Sequence, residues 1–589
     1  MKKGKRSEVL DVKRKNRRKW IKTWIQLFLV IMVIFLIYQA VARTDRYAEP
    51  DKSTWHNRSG FVALSYFGVS RTGTPLLIDK AQLKAQLQTL HDQGYVTVSQ
   101  QDILDFYHKG KALPDKALFL SFEDGRNDSS LYAQPLLERY NDKATFLTYA
   151  NKMGNGDHKF VQPKELRRMM KSGYWEMGTN GYRLTYINIF DKNGGYIGVK
   201  DENKLDSKED IEHYNHYLMD FIRDENMIPL EDRDTMQARI SKDYQLMDTV
   251  YTDKLGFVPA VYMIMHANAM YGSMNPLVTD VNDRNIRSLF QMHFNLEGNA
   301  FNGPSQDVYN LTRLQPEPYW STNHLLMKIG KDSGQQMKYV TGDQKQSGQW
   351  KQAGGAAEFK DNRIVLTSPP AGEGKLLLDQ GEQAPEDFTL SAKVSGNVVG
   401  KQSFYLKDRG DGQQYVRVTL DRNEIQVEQK LSGSPVTVLG PQMLDPVKWS
   451  SEDLAFDKAT VYSAEEAQAG ANTDEEDEYP LNIKNTRQIQ MKVSGNRLEV
   501  IVDGQPVLQA SVDPSLKGGA VGLGSAYSPQ NTKDDIFDGI FEDVTVTTEN
   551  AADGKTSVWY TNKLLGWKKV AAQVEHAMDV TIDWAIDTF

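Results

Sequence analysis

Cysteine is absent from the chain of 589 residues. Its absence excludes disulfides, thiolate metal sites and cysteine nucleophiles, and is compatible with export to an oxidising compartment. Acidic residues outnumber basic ones: the net charge is −8, with a densely basic amino-terminal segment and an acidic balance thereafter. No nucleic acid is expected as a partner. The acidic run from Asp474 to Glu478 lacks the glycine spacing of a calcium loop and reads as an exposed loop. What the chain has is length and 40% hydrophobic residues, enough for more than one core.

An apolar run from Trp24 to Ala42, interrupted only by Gln26 and Gln39, has about the length of a membrane-crossing helix. Lysines and arginines from Lys2 to Lys22 precede it, against only Glu8 and Asp11. Residues 1–50 are therefore expected to be a basic cytoplasmic segment and an N-terminal transmembrane helix. This is a single-pass anchor in a bacterial cytoplasmic membrane, with the bulk of the chain outside. Ala40-Val41-Ala42 has the form of a cleavage site, and a removed signal peptide is the rival reading.

Strand and helix patterns alternate after a polar linker. Strands are expected at 60–66, 95–98, 117–122, 144–149, 174–177, 260–265 and 288–294, and helices at 79–94, 101–108, 132–140, 163–172, 234–255 and 320–329. Residues 189–234 read as an insertion with a helix over 207–223. The alternation predicts a parallel sheet with crossover helices over 58–332. From about Gly348 the period changes to two. Val416, Val418 and Leu420 face Ile425 and Val427 across a turn, and Ile489, Met491 and Val493 face Leu498, Val500 and Val502. An antiparallel β-sandwich is expected over 348–548. Residues 556–589 place Tyr560, Leu564, Trp567, Ala571 and Val574 at three- and four-residue steps, a C-terminal amphipathic helix.

The stretch Ala117 to Phe122 is almost wholly apolar and ends in Glu123, Asp124 and Gly125. Such a run without alternation reads as a strand buried on both faces, and ligands gather beyond the carboxyl ends of such strands. Neighbouring residues on a regular strand point to opposite faces. Both acids can serve one site only if the chain is already turning there, which Gly125 permits.

Several landmarks then fall in a familiar order: Leu64-Ser65-Tyr66, the phrase ending Gly94-Tyr95-Val96-Thr97-Val98-Ser99, and Ser121-Phe122-Glu123-Asp124-Gly125. Lys143-Ala144-Thr145-Phe146-Leu147, the strand from Gly173 to Gly178 and the Arg313 to Trp320 to Leu326 phrase follow. In these the chain resembles the polysaccharide deacetylase (NodB homology) family, particularly the branch that trims bacterial exopolysaccharides such as poly-N-acetylglucosamine. The resemblance implies a (β/α) barrel with a general base and a metal-binding aspartate at the strand end, completed by two histidines four residues apart. Here Glu123 stands at the base position, Asp124 keeps the ligand position, and the histidine positions fall on Asn180 and Leu184. A further family histidine falls on Phe67. Leucine cannot bind a metal and asparagine is a poor substitute for imidazole. No cofactor is expected, although a divalent metal at Asp124, with His266 or His293 as substitute ligands, stays open.

The resulting expectation is a multidomain α/β plus all-β protein: membrane anchor, deacetylase-like barrel, sandwich resembling laminin-G or concanavalin-like domains, and terminal helix. It would bind or scaffold extracellular polysaccharide during assembly, export or modification, alongside a polysaccharide synthase or export complex. Catalysis is left open. Glu123 and Asp124 are the candidate catalytic residues, and Tyr66, Asn180, Tyr182, His266, His293 and Trp320 the candidate substrate-binding ones. The alternatives are a metal-independent glycoside hydrolase pairing Glu123 with Asp124, Glu176 or Glu297, and a deacetylase with substitute ligands.

Overall fold

Seven short parallel strands enclose the first core: β1 (Phe61–Tyr66), β2 (Ala117–Phe122), β3 (Ala144–Tyr149), β4 (Trp175–Gly181), β5 (Val261–Met263), β6 (Met292–Glu297) and β7 (Leu311–Arg313). They pair in that order, from Val62 with Leu118 to Glu297 with Arg313. A bridge between Leu64 and Leu314 brings the last strand back to the first. The ring is a nearly closed barrel. Every residue of β1, β2 and β3 is buried, so these strands show no alternation in sequence. Phe61, Ala63, Phe119, Leu147, Met263 and Phe294 fill the inside, with Phe119 stacked on Phe294 at 4.9 Å. The intervening residues face the helices α1 (Lys80–Asp92), α2 (Gln100–Lys109), α3 (Asn127–Tyr140), α4 (Pro163–Ser172), α5 (Arg233–Leu255), α6 (Pro276–Leu289) and α7 (Thr322–Ser333).

This computed structural model describes residues 19, 20, 22–24, 26–28, 30, 31, 46–74, 76–205, 211–379, 384–395, 400–421, 424–444, 463, 465, 467, 486–529, 534–549, 556–564 and 566. The acidic run 474–478 lies outside them.

Beyond residue 348 two antiparallel sheets pack face to face. Phe404, Val418 and Leu523 of one meet Leu390, Met491 and Phe541 of the other, with Phe404 edge-on to Phe541 at 5.5 Å. Both expected hairpins form, with Val418 opposite Val427 and Met491 opposite Val500.

Three expectations are corrected. No helix among the described residues is long and apolar enough to cross a membrane, which overturns the transmembrane anchor and the single-pass membrane localisation. The described helical residues between 19 and 31 include Lys19 and Lys22, and such a stretch falls short of the roughly 20 apolar residues a span requires. Positions 25, 29 and 32–42 of the expected span lie outside the described residues. The helix expected over 207–223 is replaced, where described, by a strand, Ile211–His216, paired antiparallel with Thr185–Asp191. Ile211 and Tyr214 mimic helical spacing with Leu218 beyond the strand, but packing of Tyr214 edge-on to Tyr186 at 4.8 Å favours the sheet. Finally, the expected terminal helix begins as a strand, Thr556–Thr561, added to Asp538–Glu549. Tyr560 is buried there and its hydroxyl accepts from the Trp350 indole N–H at 2.9 Å. Residues 567–589 lie outside the described residues.

Candidate functional site

The chain turns sharply as β2 ends. Asp124 (φ +65°) and Gly125 (φ +66°) both adopt the left-handed conformation. Aspartate tolerates it at modest cost and glycine at none, and a Cβ at Gly125 would lie 3.3 Å from the Thr148 backbone. The turn places both acids at the carboxyl end of the barrel, above the apolar layer of Phe119 and Phe294.

Glu123 has no solvent exposure and is held by three side chains from three other strands. The Ser65 hydroxyl donates to its Oε1 at 2.6 Å, the Arg313 Nε to the same oxygen at 3.1 Å, and the Asn180 amide to its Oε2 at 3.1 Å. Arg313, 2% exposed, extends its other side to Glu297 Oε2 at 3.0 Å and to the Ile264 carbonyl at 3.3 Å. Asn180 spends its whole amide. Its nitrogen also donates to the Met263 carbonyl at 3.1 Å, and its oxygen accepts from the Asp124 N–H at 3.0 Å. A carboxylate and a guanidinium this deeply buried persist only when paired and hydrogen-bonded.

Asp124 sits next to this lattice, its Oδ2 3.2 Å from Arg126. Burial pushes its carboxyl up to about 6, with Arg126 opposing. Tyr149, at the end of β3, is fully buried with its hydroxyl unpaired, and burial and the Asp124 charge raise it well above its ordinary value.

The remaining candidates separate into groups. Tyr182 and Leu184 line an open cleft of about 180 Å³ at the mouth with Asn151, Lys152, Asp201 and Glu202. Arg183 crosses the Tyr182 ring at 5.4 Å. His266 follows β5 at the same end. Its ring stacks on His216 at 5.5 Å, its Nε2 is buried without a partner, and burial drives it well below its ordinary value. His293 lies between two inward-facing residues, Met292 and Phe294, and so faces outward. It stacks on Tyr262 at 5.0 Å, contacts the Tyr309 carbonyl at 3.2 Å, and burial pushes it down to about 3. Tyr66 also faces outward, fully buried, its hydroxyl on Gln86 at 2.9 Å and its ring on Phe122. Trp320 lies at the boundary with the sandwich, stacked on His324 at 4.5 Å. Phe67 is half-buried. Glu176 precedes Asn180 by four strand positions, about 13 Å, and accepts from the Gln100 N–H at 2.8 Å. It therefore sits at the opposite end of the barrel from Glu123, whereas Glu297 joins Glu123 through Arg313.

The donor set does not fit the divalent cation that the family resemblance implies. Asp124 is paired to Arg126, the Asn180 amide is fully engaged, and Leu184 offers no donor atom. Among the described residues no three His, Cys, Asp or Glu side chains are placed to hold a metal. Sequence reasoning had not singled out Ser65, Arg126, Tyr149 or Arg313 as site residues. A serine and an arginine near strand ends were the available signals for Ser65 and Arg313, and nothing in the spacing linked them to Glu123.

Residues 110–227 match the polysaccharide deacetylase family, so the chain carries a polysaccharide deacetylase domain. The YxkH protein of Bacillus subtilis (strain 168) is 27% identical over 128 residues, 21% of this chain and 45% of its own length. The poly-beta-1,6-N-acetyl-D-glucosamine N-deacetylase of Staphylococcus aureus (strain MRSA252) is 24% identical over 189 residues, 28% of this chain and 63% of its own. The chain thus spans less than two thirds of the length of these curated relatives. Among solved structures, a de-N-acetylase of Aggregatibacter actinomycetemcomitans matches 45% of this chain and 98% of its own at 18% identity and a TM-score of 0.35.

Proposed function

We propose that this polysaccharide deacetylase domain binds an N-acetylated exopolysaccharide of the poly-N-acetylglucosamine class without hydrolysing its amides. The observation that carries the reading is the state of Glu123. In a metal-assisted deacetylase the carboxylate at this position must take a proton from a metal-activated water, so it needs an oxygen facing the reacting atoms. Here the carboxylate is fully buried and holds together four strands through Ser65, Asn180 and Arg313. Asn180, at the first histidine position, acts as a structural crosslink. The residues that made a reaction centre in the related enzymes form a charge-satisfied plug beneath the mouth, leaving the open cleft of Tyr182, Lys152, Asn151 and Asp201 to meet a sugar chain. Aromatic rings with hydrogen-bonding neighbours are the usual means of holding saccharide faces. The sharing of Arg313 by Glu123 and Glu297 gives glycosidic cleavage its one foothold, but a carboxylate with three protein donors and no exposure is poorly placed as nucleophile or acid.

Titration calorimetry of the full chain with a β-1,6-linked N-acetylglucosamine pentamer is expected to show binding that added zinc does not change. Tyr182→Ala should weaken it roughly tenfold, about 1.4 kcal/mol. Absence of binding, or binding indifferent to both Tyr182→Ala and Lys152→Ala, would remove the reading.

A further inference from the structure

A second and larger cleft, about 530 Å³, lies between the barrel and the sandwich. One wall is the outer face of a sandwich sheet. Ala357 and Phe359 point into the core, so Glu358 and Lys360 between and beyond them point outward, next to Val365 and Ile540 on the paired strands. The other wall is the first turn of α1 and the loop carrying Trp320, joined by the Gln82 amide donating to the Trp320 carbonyl at 2.6 Å.

The carboxylates lining this cleft are Asp79, Glu358, Asp538 and Glu542, against the cations Lys360 and Arg363. Three of the four acids are already committed. Asp79 caps α1 through the N–H groups of Ala81 and Gln82 at 2.7 and 2.8 Å, Asp538 is bound to His324 at 3.1 Å, and Glu542 pairs with Arg363 at 2.6 Å. Glu358 has no hydrogen-bond or ion-pair partner among the described residues, is half-buried, and burial raises its carboxyl above the ordinary range. The Trp320 ring lies in the same wall, its indole N–H buried. Beside them, Val365 and Ile540 pair across adjacent strands as an apolar strip. A half-buried carboxylate is most favourably completed by a ligand ammonium, and the apolar strip suits the face of a sugar ring.

We propose that the cleft between barrel and sandwich binds a hexosamine chain bearing free amino groups, with Glu358 as counter-ion to one ammonium. The choice of a saccharide rests on the polysaccharide reading of the barrel, while the requirement for an amine rests on the cleft alone. The two sites would then take different polymers, an acetylated chain at the barrel mouth and a chain bearing free amines between the domains.

The test is calorimetry of the full chain with a glucosamine pentamer, its fully N-acetylated counterpart and a tetralysine peptide. The glucosamine pentamer is expected to bind, Glu358→Gln to weaken it at least tenfold, Tyr182→Ala to leave it unchanged, and Lys360→Glu, at an exposed position, to strengthen it about threefold. A Glu358→Gln variant that fails to fold leaves the Lys360→Glu strengthening as the deciding result. Binding of the acetylated pentamer at the Tyr182 cleft, with no binding of the glucosamine pentamer, overturns the cleft proposal and leaves the barrel reading intact. Loss of the acetylated interaction alone does the reverse. Tetralysine binding as tightly as the glucosamine pentamer, or Glu358→Gln without effect, also overturns the proposal.

Discussion

Arg313→Met is expected to destabilise the barrel by about 3–5 kcal/mol, read as a lower urea midpoint for its unfolding transition. The substitution keeps the volume of the side chain's stem but strands Glu123, which has no solvent to turn to and would keep only Ser65 and Asn180 as donors. It also frees the Ile264 carbonyl and Glu297 from their guanidinium contacts. Replacing both partners, Arg313→Met with Glu123→Leu, is expected to recover most of the loss, since exchanging a buried ion pair for apolar side chains is commonly neutral or stabilising. A single-variant loss below about 1 kcal/mol would mean that the pair behaves as a solvated surface bridge, and the plug beneath the mouth would not exist as described.

Alkaline pH is expected to loosen the two domains from one another through His324. This histidine on α7 is fully enclosed between two sandwich carboxylates, Nε2 to Asp534 at 2.7 Å and Nδ1 to Asp538 at 3.1 Å. Asp538 also accepts from the Ser321 N–H at 2.7 Å and the Thr367 hydroxyl at 2.6 Å. Burial alone would push the imidazole down, but Asp538 and Asp534 raise it to about 9. Because the folded value lies above the ordinary 6.5, the contribution is fully present below pH 6.5 and is lost as pH rises through about 9. Its size is about 3 kcal/mol. For Asp534 and Asp538 burial opposes ionisation, yet His324 holds both below their ordinary range. Their contribution is therefore present above the ordinary carboxylate range and fades in acid. Thermal melts of the full chain from pH 6 to 10 should show the interface transition falling toward pH 9. His324→Gln should lower it at pH 7 and flatten the alkaline dependence. An unchanged alkaline slope in that variant would assign the pH dependence elsewhere.

Much of the architecture was legible in the sequence because it rests on local pattern. The largely apolar runs at 61–66, 117–122 and 144–149 are strands buried on both faces, and the two-residue alternation around 416–427 and 489–502 is a sheet with one face on a core. The turn at Asp124 and Gly125 was also readable, since only a break from extended geometry brings both acids to one end. What escaped was non-local. Ile211 and Tyr214 carry helical spacing, but their partner is Tyr186 across an antiparallel pair. Tyr560 fits a helical stripe, but it is claimed by Trp350, more than two hundred positions earlier. The same limit applied to the site. Asn180 and Leu184 could be read as missing metal ligands, whereas the use of the Asn180 amide to join Asp124, Glu123 and Met263 depends on three strands meeting. His293 could be placed at a strand but not on its outward face, and Arg313 could not be connected to Glu123 across 190 residues.

We propose that this deacetylase-like barrel holds a buried ion-pair lattice in place of a reaction centre and binds saccharide at its mouth. Acetate release from poly-N-acetylglucosamine by the full chain supplied with zinc tests it most directly. The account predicts release indistinguishable from a protein-free control in a sample that still binds the polymer. Sustained, zinc-dependent release that disappears in Glu123→Gln would contradict it.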